Sequence, residues 1–443
     1  MRESEREALA HRILGSASGD AIETIVASHA LGMTRFTQNA IHQNIASADA
    51  TVRVRVVAGG RTGVATTNDI SSASLAATVA RARAIAALAL EDPAAAPLAR
   101  TERIATPPGA YAPATDAATP EERATTATAI FREAEGASLW TAGYVTTSTA
   151  GITLGNSAGT LQSYDATSCG LNVKASGPDA TGFAESYGID ARGLDGARAG
   201  ALAVAKARAG SGPVAVPPGA WTVILEPAAI GELLSYLTDH FGAQEYDQGS
   251  SFACDGLGRR YVGANVSMWD DAAHPSFAGM PFDYEGHPRT CVALFEAGVA
   301  HRLVTDARYA AKLGMPNTGH ALPAPNAAGP QAQHVVVATG EKTLEDLIAE
   351  TERGLLVSRF WYIRPVDARK TIVTGMTRDG TFLIEGGRVS GGVTNMRFNQ
   401  SILEALGACE FARDAVRTSG YGYETIVPAV KIEGFRFTSA TDF

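Results

Sequence analysis

Between Trp221 and Phe252 the chain gathers residue types that do hydrolytic chemistry: Ser235, Tyr236, Asp239, His240, Glu245 and Asp247, followed by Gly249-Ser250-Ser251-Phe252. A hydrolytic zinc site takes about three protein ligands, leaves one position to water, and sets a carboxylate beside that water as the base. The segment offers a single imidazole, His240. A phenol such as Tyr236, ionising at about pH 10, cannot serve as the base at neutral pH, and the Ser235 hydroxyl is a poor zinc ligand. On that count His240 reads as a structural histidine with its hydrogen bonds made. The alternative is a site rebuilt around His240 from Asp239, Glu245, Asp247 or His274. Further acids and histidines occur at Asp270-Asp271 and from Asp283 to His287. Their spacing does not collect them on one face of an element, so they read as a solvated loop.

The elements that must position these residues are legible from periodicity. Trp221 to Leu225 is a short apolar run that predicts a buried strand. Pro227 can open a helix without wasting a backbone N–H, and Ile230, Leu233, Leu234, Leu237 and Phe241 recur at helical spacing, with Gly242 as the stop. This strand, apolar helix and Gly/Ser-rich exit resemble the central motif of the TldD/PmbA family, the "modulator of DNA gyrase" proteins. Catalytic members carry Leu-Leu-His-Glu-x-x-x-His on the helix and a Gly-x-Ser-x-Phe-like exit. Here Leu233-Leu234 and Gly249, Ser250, Ser251 and Phe252 keep the frame. Ser235 falls at the first ligand position, Tyr236 at the base and His240 at the last ligand. The third ligand of catalytic members is a C-terminal cysteine; Cys409 is the nearest candidate, and it stands too far ahead of Pro428.

The resemblance therefore implies the metal-free, PmbA- or TldE-like branch: no cofactor in this chain, with zinc held by a TldD-like catalytic partner in a heterodimer that cuts short or unfolded peptides. A homodimeric peptide-binding scaffold is the alternative. The implied fold is α/β of the α+β type, with an N-terminal domain (residues 1–215) built on a curved antiparallel sheet with helices and a larger, mainly β C-terminal domain (216–443). In such a fold Gly249, Ser250, Ser251 and Phe252, with the backbone of Thr318-Gly319, would border the peptide cleft.

Elsewhere, residues 3–15 and 74–90 read as amphipathic helices, the second with Leu75, Val79, Ala82, Ile85, Ala86 and Leu88 on its apolar stripe. Ile22–Ala27, Met33–Phe36, Thr51–Val57 and Arg61–Thr67 predict a sheet of about four antiparallel strands. The Ala/Pro/Thr-rich stretch 93–119 reads as a linker or surface loop, and Thr119-Pro120-Glu121-Glu122 as a capping box. Strand-like pieces follow at 139–149, 151–156, 159–168, 169–175 and 183–189, then a helix over 194–209. Cys291–Phe295 and Val299–Leu303 read as a hairpin, Leu344–Arg353 as a helix stopped by Gly354, and Asp379-Gly380 as a hairpin turn.

Charge and composition narrow the function. With 46 acidic against 37 basic residues the net charge is −9, and no basic cluster exists to neutralise phosphates, so nucleic-acid binding is not expected. The longest apolar runs are too short for a membrane span. Four scattered cysteines and an N-terminus without the apolar core of a signal peptide point to a cytoplasmic protein with reduced thiols.

Overall fold

The computed structural model describes residues 1–16, 21–420 and 423–441. Two sheets organise it. The first is antiparallel throughout: β1 (Ala21–Thr37), β2 (Ala40–Ala58), β3 (Arg61–Thr67), β4 (Trp140–Asn156), β5 (Leu161–Ser176) and β6 (Thr181–Gly188), in the order β3-β2-β1-β4-β5-β6. Its first part holds three strands where about four were expected. Ile22–Ala27 and Met33–Phe36 are one strand, as are 139–156, and the pieces at 159–168 and 169–175 merge into β5. The alternation that separates such pieces in sequence is interrupted by small residues, Gly32 and Gly151, that a paired strand tolerates.

Helices α1 (Glu3–Leu14), α2 (Ser72–Leu88), α3 (Pro113–Asp116), α4 (Pro120–Glu135) and α5 (Gly196–Ala209) pack on this sheet. The capping box of α4 is formed: Thr119 Oγ1 accepts from Glu122 N, and Glu122 accepts from Thr119 N. In α2, Leu75, Val79, Ala82 and Ala86 are buried as expected, whereas Ile85 and Leu88 are exposed. The stretch 93–119 is more than a loose linker. It contains α3, buries Ala99 and Ala110, and ties the two halves together where Thr101 Oγ1 donates to Gly286 O at 2.8 Å.

The second sheet is mixed. It contains β7 (Gly219–Leu225), β8 (Met268–Asp270), β9 (Val292–Glu296), β10 (Val299–Ala300), β11 (His334–Val337) and β12 (Arg353–Asp367). To these it adds β13 (Ile372–Glu385), β14 (Arg388–Gly392), β15 (Met396–Ser401), β16 (Cys409–Gly420) and β17 (Tyr423–Ala440). The path β10-β9-β8-β11-β17-β15-β13-β12-β7 closes on itself, because β7 pairs with β12 on one side and with β17 on the other. Inside that closure Phe360, Phe398, Phe435 and Phe437 pack ring against ring, with centroids 4.6–5.8 Å apart.

Three local expectations are overturned. Asp379-Gly380 does not turn a hairpin: β13 runs through it with a register shift, and both residues take positive φ (54° and 131°) in a bulge. Asp379 is buried there and bound to Arg359 and Thr181, partners far away in sequence. The helix at Leu344 ends at Ala349, and Arg353 and Gly354 already belong to β12. Asp270 and Asp283, read as solvated, are 0% and 1% exposed. Each is satisfied by backbone N–H groups, Asp270 from Gln333 and His334, and Asp283 from Glu285, His287 and Ala321.

Candidate functional site

α6 (Pro227–Thr238) follows β7 directly and lies in the core of the second half. Its predicted apolar stripe is buried throughout, Ile230, Leu233, Leu234 and Leu237 at no more than 1% exposure. Gly231 is where the helix touches the β16–β17 hairpin; a Cβ there would lie 2.4 Å from Thr418 Oγ1. After α6 a single 3-10 turn, Asp239–Phe241, carries the chain to Gly242 and the short helix α7 (Ala243–Asp247).

Each of the three positions on the zinc frame is accounted for. Ser235 is buried, and its Oγ donates to Glu232 O one turn back, at 2.7 Å. Tyr236 OH donates to Ile363 O at 2.8 Å. His240 stacks edge-on against Phe252, and burial lowers its pKa. Its Nδ1 has no hydrogen-bond partner among the described residues, so the expectation of a fully bonded histidine fails. Glu245 Oε2 is likewise buried without a partner, and desolvation, seconded by Asp239, pushes that carboxyl up to about 7. Asp247 pairs with Lys312, and His274 Nδ1 accepts from Ser276 N. Cys409 Sγ contacts Leu406 O, and burial drives its thiol up to about 12. Among the described residues no group of three or more His, Cys, Asp or Glu is arranged to hold a metal ion. A zinc ion does not fit the donor set on α6: an alcohol and a phenol already spent on carbonyls, and one imidazole.

The Gly/Ser exit folds back on the same helix. Gly249 has φ +75°, Ser250 and Ser251 N both donate to Glu245 O, and Ser251 Oγ donates to His240 O at 2.6 Å. Phe252 is 1% exposed and packs on Phe241, Tyr261 and Phe295. The structure thus brings His240 together with Ser251 and Phe252. Thr318 and Gly319 sit in a different cluster. Thr318 exchanges hydrogen bonds with Thr305, and His320 bridges Thr318 Oγ1 (2.9 Å) to Asp270 Oδ1 (2.9 Å), with Arg289 also on Asp270.

A feature that sequence reasoning missed lies between the halves. Among the described residues β6 pairs only with β5, and β16 only with β17, so each is a sheet edge, and a cleft of ≈ 640 Å³ lies between them. Phe183 to Ile189 form one wall, Ala415 to Thr418 the other, and the start of α6 closes one end. No local sequence signal marks it, since its walls come from strands far apart in the chain. A larger hollow, ≈ 740 Å³, lies over the first sheet beside α1 and shares no lining residue with this cleft.

The sequence matches the family model described as PmbA/TldA metallopeptidase C-terminal domain over residues 218–439, and that of PmbA/TldA metallopeptidase domain 1 over 32–86. No curated protein gives a significant match. Among solved structures, TldE from Thermococcus kodakarensis superposes with a TM-score of 0.86 at 20% identity, covering 98% of this chain and 99% of that one. A candidate modulator of a DNA gyrase from Thermotoga maritima gives 0.85 at 18%, covering 98% and 100%. A similar protein from Bacteroides thetaiotaomicron gives 0.82 at 18%, covering 99% and 98%. At these identities the likeness establishes a shared fold.

Proposed function

Because the chain belongs to the PmbA/TldD metallopeptidase family, we propose that it is a TldE-like, non-catalytic subunit that pairs with a zinc-bearing TldD-like chain to process short or unfolded peptides. The observation that carries this reading is the state of α6: Ser235 and Tyr236 spend their hydroxyls on backbone carbonyls, and His240 stands without a second ligand. A zinc-activated water would need a partner chain to supply its ligands and its base. This chain's contribution is to hold substrate. An extended peptide lies in the cleft between β6 and β16, where main-chain hydrogen bonds to an unpaired strand edge accept varied side chains. It acts in the cytoplasm, where its four free cysteines stay reduced. A net charge of −9 argues against DNA contact, whatever the names of its structural relatives.

The test is reconstitution. Purified alone, the chain is expected to carry no stoichiometric zinc and to leave unfolded peptides intact. Mixed with a family member bearing His-Glu-x-x-x-His, it is expected to form a 1:1 complex in which both appear. Stoichiometric zinc in the isolated chain, with peptidase activity abolished by His240→Ala, would contradict the proposal, and a persistent self-dimer indifferent to that partner would favour a scaffold.

A further inference from the structure

The cleft between β6 and β16 adjoins a smaller pocket of ≈ 180 Å³, sharing Phe183, Glu185, Tyr187, Ala228 and Thr418 with it. Two carboxyls face this pocket from different halves of the molecule, Glu185 on β6 and Glu232 on α6. Neither is held in an ion pair among the described residues, although Arg359 pulls on both and Lys206 on Glu185. Glu185 receives one long hydrogen bond, 3.4 Å from Tyr187 OH, and the Glu232 carboxylate has no hydrogen bond or ion pair among the described residues. Arg359 lines the same pocket and supplies its one positive charge among the described residues, shared with Asp379: its Nε lies 3.0 Å from Asp379 Oδ2, and its guanidinium rests on the rings of Phe183 (4.5 Å) and Trp361 (5.3 Å). A second sign of an unmet partner lines the wider cleft, where Ser358, 1% exposed, has a hydroxyl with no hydrogen-bond partner.

Two largely buried carboxyls that share one guanidinium with Asp379 are short of positive charge, which costs free energy unless a proton or a positive ligand joins them. Desolvation pushes both up to about 7, a cost that a cation would relieve. The pocket also presents the phenols of Tyr144 and Tyr187, the amide of Asn172 and the ring of Trp361. Carboxylate and phenol oxygens beside aromatic faces suit a small cation with several N–H donors.

We propose that this pocket receives the primary ammonium group of a peptide lying in the cleft between β6 and β16, either its α-amino terminus or a lysine side chain. The inference rests on the peptide-holding reading above and adds to it a charge preference. Glu185 and Glu232 accept from the ammonium, and Tyr144, Tyr187 and Trp361 enclose it.

Calorimetric titration of the full chain tests this with one short unstructured peptide in three forms: free amine, N-acetylated, and N-acetylated with one internal lysine. The wild type is expected to bind the free-amine form, the lysine form, or both about tenfold tighter than the plain acetylated form, the scale of one charge-assisted hydrogen bond. Which form gains identifies the source of the ammonium. The Glu185→Gln/Glu232→Gln variant keeps the side-chain shapes and is expected to hold the acetylated peptide as before while losing the preference. Equal binding of all three forms by the wild type, or an undiminished preference in the variant, would overturn the ammonium site and leave peptide holding intact. Binding of none of them would remove the peptide-holding reading, and the ammonium site with it.

Discussion

Glu232 carries its burial into the pH dependence of folding. Desolvation first, with Glu185 adding repulsion against the pull of Arg359, raises its folded pKa to about 7 from the ordinary 4.5. Between those values the folded state holds a proton that the unfolded chain has released, so this group's contribution to stability falls as pH rises from 4.5 to 7. Glu232→Gln is therefore expected to exceed the wild type in stability by about 1–2 kcal/mol above pH ~8, and to match it near pH ~4.5. His334 acts with the opposite sense. Burial, with Arg289 next, lowers it to about 3, so the folded state stays neutral while the unfolded chain takes up a proton below about 6.5. Stability is expected to drop by roughly 2–4 kcal/mol as pH falls through that window, and His334→Gln to flatten the acid limb in urea titrations. At this scale the sequence was informative where chemistry is local. Ser235, Tyr236 and His240 share one helix and its end, so laying them on the family's His-Glu-x-x-x-His frame exposed the missing ligands. Glu185, Glu232 and Arg359 come from three elements, and no spacing rule joins residues that only tertiary pairing brings together.

The β7–α6 unit was legible because two periods meet at Pro227: an apolar strand on one side and a helical stripe on the other. Gly231 was not, since its reason is a neighbour distant in sequence. Gly231→Ala would gain up to about 1 kcal/mol of helix propensity, yet its Cβ would stand 2.4 Å from Thr418 Oγ1 and 2.7 Å from Thr425 Oγ1. Those hydroxyls bond each other at 2.7 Å within the core and cannot swing aside, so overpacking should win by about 1–3 kcal/mol and lower the denaturation midpoint. The Asp379-Gly380 pair shows the converse failure. Its residue types fit a hairpin turn, but continuous pairing with β12, together with the contacts of Asp379 to Arg359 and Thr181, makes a bulge the better use of the same φ angles.

Over the whole molecule the two-sheet class was legible through the family resemblance, while the order of the strands, the closure by β7 and the cleft between two edges are products of long-range pairing. With no trio of metal-holding side chains among its described residues, the isolated chain should be indifferent to metals. Chelator treatment or added zinc is expected to leave its thermal midpoint unmoved, whereas a ligand that binds the folded state tightly would raise it by mass action. A zinc-dependent rise would be at odds with a subunit that leaves the ion to its partner.

The closure of the second half also dictates when that half can be finished. Val430 of β17 pairs with Leu225 of β7, so an early strand waits for one of the last to be synthesised. Until then β7 keeps one flank bare and the phenylalanine cluster lacks Phe435 and Phe437. Such distant pairing folds slowly and leaves a sticky intermediate, so a nascent chain halted before β17 should depend on chaperones in a way the completed one does not.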